Sequence, residues 1–136
     1  MKSNPGKTDE TGKLREGPSK FHFKNGALES AGSSAKGEKH GPWKYYLKNG
    51  ELKAFGIYDA GQLDGEWTWY RENGKLMRVG SFAKGVQTGL WRRYHANGAL
   101  YDEGHYANGK KTGEWRVFDD KGAVVKTTRH RQIMTS

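Results

Sequence analysis

From Gly17 onward this 136-residue chain repeats itself every 24 residues, and no gap is needed to keep the copies in phase. A fixed period of that size means one supersecondary unit stacked along an array, with a core shared between neighbours. Four copies, starting at Gly41, Gly65, Gly89 and Gly113, read GPWKYYLKNGELKAFGIYDAGQLD, GEWTWYRENGKLMRVGSFAKGVQT, GLWRRYHANGALYDEGHYANGKKT and GEWRVFDDKGAVVKTTRHRQIMTS. A degenerate copy, GPSKFHFKNGALESAGSSAKGEKH, precedes them from Gly17, with Ser19 in the Trp slot and Ser34 in the Tyr or Phe slot. The shared frame is GxWxxYxxNGxLxxxGxYxxG.

Asn-Gly recurs at Asn25-Gly26, Asn49-Gly50, Asn73-Gly74 and Asn97-Gly98, and Lys121-Gly122 keeps part of it. Flanked by apolar alternation, this pair predicts a β-hairpin with a two-residue type I′ turn, which needs positive φ at both central positions. The turn then sets the register. Lys48 faces Glu51, Glu72 faces Lys75, Arg92 faces Glu103 and Arg93 faces Asp102, four opposite-charge cross-strand pairs that took no part in proposing the turn. Trp69 faces Arg78, a cation-π geometry.

In that register Trp43, Trp67 and Trp91 stand across from Gly56, Gly80 and Gly104, so each indole is expected to lie over bare backbone. Strict alternation puts Trp43, Trp67, Trp91 and Trp115 on one face with Leu52, Leu76 and Leu100, and Tyr46, Tyr70, Tyr94 and Phe118 on the other, unless a bulge intervenes. The glycines at 37, 61, 85 and 109 fall in the linkers between hairpins, where a left-handed residue is commonly needed. Only 33% of the chain is hydrophobic while it holds five Trp, seven Tyr and five Phe, so the core must be thin and aromatic. The expected fold is all-β: a single-layer, elongated antiparallel ribbon of ten strands, about 45 Å across the strands.

The expected organisation is a disordered polar arm at 1–16 followed by a five-copy domain at 17–136. Its copies are a degenerate cap at 17–40, then 41–64, 65–88 and 89–112, and an atypical C-terminal cap at 113–136. Terminal copies of an array are usually atypical because an open strand edge invites aggregation. The leading residues lack the apolar run of a signal peptide and no stretch reaches membrane-spanning length, which predicts a cytoplasmic chain, with peripheral membrane attachment as the alternative. Formal net charge is +9, but no 24-residue copy exceeds +2, so the surplus is spread rather than gathered into the patch of a nucleic-acid binder.

Chemistry is sparse. There is no Cys, hence no thiolate ligand, no Cys nucleophile and no disulfide. His22, His40, His95, His105 and His130 occupy five different slots and form no paired metal spacing. Gly6-Lys7-Thr8 echoes the end of a phosphate-binding loop, yet Met1 stands where the motif needs Gly, and no strand precedes it. Asp102-Glu103 and Asp119-Asp120 are sequence neighbours, and on strands neighbours point to opposite faces. No catalytic, cofactor-binding or metal-ligating residue is predicted, and the chain is read as a non-enzymatic basic scaffold without a cofactor.

The GxYxxGxxxGxWxxYxxNGxL frame, spanning Gly17 to about Val124, resembles the MORN repeat in the variant form of bacterial MORN-repeat antitoxin or immunity proteins. The resemblance implies an elongated hairpin ribbon, a protein-binding or anionic-lipid-binding role and no enzymatic activity. The missing Trp and Tyr of the first copy and the lost glycines after Val124 depart from the pattern.

Recurring slots hold such a ladder together, so slots that differ between copies are free to encode a partner. The candidates are Phe55, Trp69, Arg71, Arg93, His95 and Tyr101, of the aromatic and Arg types that interfaces favour. The competing reading of Phe55 and Trp69 is that they thicken a thin core. Three partner classes follow in order: a protein, with a toxin among the options; an anionic membrane surface, drawn by the basic surplus and interfacial aromatics; and last, RNA or single-stranded nucleic acid stacking on the aromatics.

Overall fold

The computed structural model describes residues 7–132. Ten strands run in chain order: β1 (Gly17–His22), β2 (Leu28–Ala35), β3 (Glu38–Tyr46), β4 (Leu52–Asp59), β5 (Gln62–Tyr70), β6 (Leu76–Ala83), β7 (Val86–Tyr94), β8 (Leu100–Ala107), β9 (Lys110–Phe118) and β10 (Val124–His130). Each pairs antiparallel with its sequence neighbours in one ten-stranded sheet, and the described residues contain no helix. The predicted ribbon is therefore the fold, and the degenerate first copy and the atypical last copy both form complete hairpins.

The turns differ from expectation. At the Asn-Gly sites Gly50 N–H donates to Leu47 O at 2.9 Å and Leu47 N–H to Glu51 O at 2.8 Å, while Gly50 has φ 91° and Asn49 has no positive φ. That is a type I turn closed by a left-handed glycine, a three-residue loop in place of the two-residue type I′ turn. Asn earns its slot through its side chain, whose Oδ1 accepts the Glu51 N–H at 3.0 Å and, in the other copies, the equivalent N–H. Type I′ geometry appears instead at the linkers, where Ala60 (φ 48°) and Gly61 (φ 84°) join the directly paired Asp59 and Gln62.

The longer loop displaces the register by one residue, and a bulge at Lys53 restores it: Tyr46 pairs with Leu52, but Tyr45 pairs with Ala54 and Trp43 with Gly56. Met77 and Tyr101 are the bulged residues in the next two hairpins. Two sequence expectations fail for this reason. Lys48 and Glu72 sit in turns rather than opposite Glu51 and Lys75, and Leu52, Leu76 and Leu100 pair with Tyr46, Tyr70 and Tyr94, off the Trp face. Beyond the bulge the expected pairs stand: Trp69 with Arg78, Arg92 with Glu103, Arg93 with Asp102.

The indoles do rest on glycine, but on the glycine of the preceding copy. A Cβ placed on Gly56 would meet the Trp67 ring at 2.1 Å, and one on Gly80 would meet Trp91 at 2.0 Å; Gly32 and Gly104 stand in the same relation to Trp43 and Trp115. Each ring leans backwards because β5, taking these strands as the example, carries two extra residues against β4 between the Phe55–Thr68 and Ile57–Asp64 pairs. The lean is fixed by a hydrogen bond from Trp67 Nε1 to Ile57 O at 2.9 Å, repeated by Trp43 to Ser33 O and Trp115 to His105 O. Tryptophan thereby locks each hairpin to the one before it.

Along this face Phe21, Trp43, Tyr45, Trp67, Trp69 and Trp91 form a row with successive ring centroids 5.9 to 6.4 Å apart. Tyr58, Phe82 and Tyr106 meet Trp67, Trp91 and Trp115 edge-on at 5.0 to 5.2 Å. Where the first copy lacks its aromatics, the buried hydroxyls of Ser19 and Ser34 bond each other at 3.0 Å.

Residues 1–6 of the expected arm lie outside the described residues. Residues 7–16, for which disorder was expected, hold a tight turn organised by the Asp9 carboxylate, which accepts from Thr11 and Lys13 N–H, and the turn docks through Gly37 N–H to Arg15 O at 2.9 Å.

Candidate functional site

All the Asn-Gly turns fall on one long edge of the ribbon, and the turns of the third and fourth copies are cross-linked to the turn that follows. Arg71 Nη2 donates to Tyr94 O at 2.8 Å, Asn73 Nδ2 to Ala96 O at 3.1 Å, and Asn97 Nδ2 to Asp120 O at 3.1 Å; His95 Nε2 lies 2.8 Å from Phe118 O. These bonds run from one copy to the next and tie the edge into a rail from Arg71 to Asp120.

Just inside this rail, on the Trp face, lies a groove of about 560 Å³ lined by Arg71, Met77, Arg78, Arg93, His95 and Tyr101. Four of the six residues proposed from sequence, Arg71, Arg93, His95 and Tyr101, therefore converge. Tyr101 reaches it because it is the bulged residue of β8, which turns its ring against His95 (centroids 5.0 Å) and under Arg93 (5.1 Å). Met77 arrives by the same device on β6.

Arg78 forms the floor. Its guanidinium carbon lies 4.1 Å from the centroid of the Trp69 ring, which is itself stacked on Trp91. Across the β6–β7 junction Arg78 stands directly opposite Arg93, two cations in adjacent register. Arg93 is neutralised by Asp102, 2% exposed, through bonds of 2.6 and 3.0 Å that hold the Arg93 guanidinium pKa above its ordinary value. No carboxylate among the described residues pairs with Arg78 or Arg71. Burial, and next the charge of Arg93, pull the Arg78 pKa below its ordinary value, and the Nε atoms of both Arg71 and Arg78 are shielded without an acceptor.

The other two candidates sit elsewhere. Trp69 belongs to the aromatic row beneath Arg78, and Phe55, 37% exposed, stacks on Tyr70 on the opposite face. Sequence reasoning passed over Arg78 and Met77 as site residues. The Trp69–Arg78 pair was the available signal, whereas Met77 could be found only by knowing the bulge.

A second hollow of about 450 Å³ lies between linker turns, but of its charged residues Lys7 and Glu38 pair with each other at 3.8 Å and Lys39 is engaged by the rings of Trp43, Tyr45 and Tyr58. No cluster of three or more His, Asp or Glu side chains suited to a metal exists among the described residues, nor any helix long and apolar enough to cross a membrane.

Comparison with known proteins gives one family. The model described as the MORN repeat variant matches residues 39–60, 63–84 and 87–108, each window covering one strand pair with its Asn-Gly turn. No curated protein matches the chain. Among solved structures, a GtfA/B complex bound to UDP and GlcNAc aligns at 13% identity and a TM-score of 0.31, over 79% of this chain and 21% of that one. The chain thus spans about a fifth of that structure's length, and a likeness this loose carries no argument about function.

Proposed function

Because the chain belongs to the MORN-repeat proteins, a family of binding repeats, we propose that it is a non-enzymatic scaffold whose turn-edge groove engages a protein partner. The carrying observation is convergence. Residues that vary between copies, Arg71, Arg93, His95 and Tyr101, come from two different hairpins and meet in one groove, while the recurring Trp and Gly are consumed in locking the array. Arginine, aromatic and Met side chains around a partly desolvated hollow are the composition of a protein interface. An antitoxin or immunity role, in which the ribbon covers a toxin's surface, is the narrower form that the sequence resemblance suggests.

The test is a cross-linked pull-down with the full chain from its native host, run beside an Arg71→Gln/Arg93→Gln variant. A stoichiometric protein held by the first and lost by the second is expected. Salt-sensitive sedimentation with acidic vesicles, in the absence of any such protein, would turn the reading to the anionic-lipid alternative.

A further inference from the structure

We propose that the groove receives a carboxylate, an Asp or Glu side chain presented by the protein partner, with Arg71 and Arg78 as its two clamps; this inference rests on the protein-binding reading above. Three observations carry it. Arg78 sits over the Trp69 ring, 4.1 Å from its centroid, which holds the guanidinium in place where it lines the groove. Arg71 is tethered by one bond to Tyr94 O, so its remaining donors are positioned rather than free to wander. Neither has a carboxylate among the described residues, although the adjacent Arg93 has a full one in Asp102. A cation that stands opposite another cation, without a carboxylate of its own while its neighbour has one, is a site whose missing component is an anion.

The surroundings select a protein carboxylate over a bilayer. Glu72, Asp119 and Asp120 stand on the same turn edge among Lys48, Lys75 and Lys121, so the edge offers no continuous basic stripe to a plane of anionic headgroups, whereas a single inserted side chain needs only the groove. Met77 and Tyr101 add apolar and aromatic walls for the carbon stem of an acidic residue. Elsewhere the molecule fills its own sites. Lys39 Nζ already occupies the aromatic surround of Trp43, Tyr45 and Tyr58, at 5.0 to 5.5 Å from the ring centroids.

The experiment titrates the full chain with a blocked Glu-Gly hexapeptide, its Gln-Gly counterpart, inorganic phosphate and phosphatidylserine vesicles, following the Arg Nε–H and Trp indole N–H resonances. The Glu peptide is expected to shift Arg78, Arg71 and Trp69 at millimolar concentration, the Gln peptide to shift none of them. Arg78→Gln and, separately, Arg71→Gln should weaken the response about tenfold or more, the loss of one charge-assisted contact, while Arg116→Gln should not. A response that survives both variants, or one given by phosphate or vesicles and not by the peptide, overturns the proposal. A native protein partner retained equally by Arg78→Gln sinks the carboxylate clamp and leaves protein binding standing. Peptide shifts with no native protein retained by the unaltered chain do the reverse.

Discussion

At the scale of single residues, the contact that matters most is an indole against a missing side chain. Gly80→Ala puts a Cβ 2.0 Å from the Trp91 ring, closer than any real contact, so the ring or the strand must move. Overpacking of that severity is expected to cost about 3 kcal/mol, measured as a lower urea midpoint, and in a Trp91→Ala background most of that cost should vanish. Equal costs in both backgrounds would place the strain elsewhere. A second residue-scale effect is set by pH. Tyr45 and Tyr58 share a 2.7 Å hydrogen bond, and burial raises both phenols above their ordinary pKa, Tyr58 further because it also serves the Tyr45 hydroxyl. A raised folded value means the native state keeps its proton longer. This contribution is therefore complete below the unfolded phenol value of about 10 and is lost as pH rises through the folded values. Absorbance titration should show a late phenolate component in the unaltered chain that Tyr45→Phe/Tyr58→Phe lacks; superimposable curves would refute the pairing.

At the scale of the hairpin, two one-residue irregularities cancel, and this decides what the sequence could reveal. The left-handed glycine adds a residue to the turn and the bulge at Lys53, Met77 or Tyr101 removes its effect, so pairs beyond both, Trp43 with Gly56 or Arg93 with Asp102, follow from the Asn-Gly position by simple counting. Pairs between the two irregularities, and the face taken by the leucines, do not, since neither a type I turn nor a bulge has a residue signature that separates it from the type I′ alternative when Asn-Gly serves both. The groove was half legible for the same reason: Arg71 and His95 stand out as variable turn residues, but Met77 enters only through the bulge. The turn assignments are open to test. Lys84 carries φ 51° in a linker turn, so Lys84→Gly is expected to stabilise by about 0.5 kcal/mol, relief of left-handed strain less the backbone entropy of glycine. Gly50→Ala, at φ 91°, should destabilise by about 1 kcal/mol, and a type I′ turn at Asn49 would instead make Asn49→Gly favourable.

At the scale of the molecule, a ladder whose every rung is alike needs a reason to stop, and the interlock supplies one at each edge. Thr128 on β10 occupies the slot held by Gly32, Gly56, Gly80 and Gly104, so a further tryptophan approaching that edge would meet a Cβ where each earlier one meets bare backbone. At the opposite edge Ser19 replaces the tryptophan that would lean outwards, and the turn at 7–16 docks beside it on the β2–β3 linker at Gly37. Open edges joined head to tail give heterologous contacts that do not close, which is the route to fibres. The comparison that isolates the threonine uses two chains lacking residues 1–16 and carrying Ser19→Trp, one with Thr128 and one with Thr128→Gly. Sedimentation velocity is expected to show a mass that climbs with concentration for the glycine form and much less association for the threonine form, because only the former offers a seat to the outward indole. Identical association of the two would mean that something other than the tryptophan-glycine lock decides where the array ends, and would remove the lock from its place as the unit of cohesion between copies.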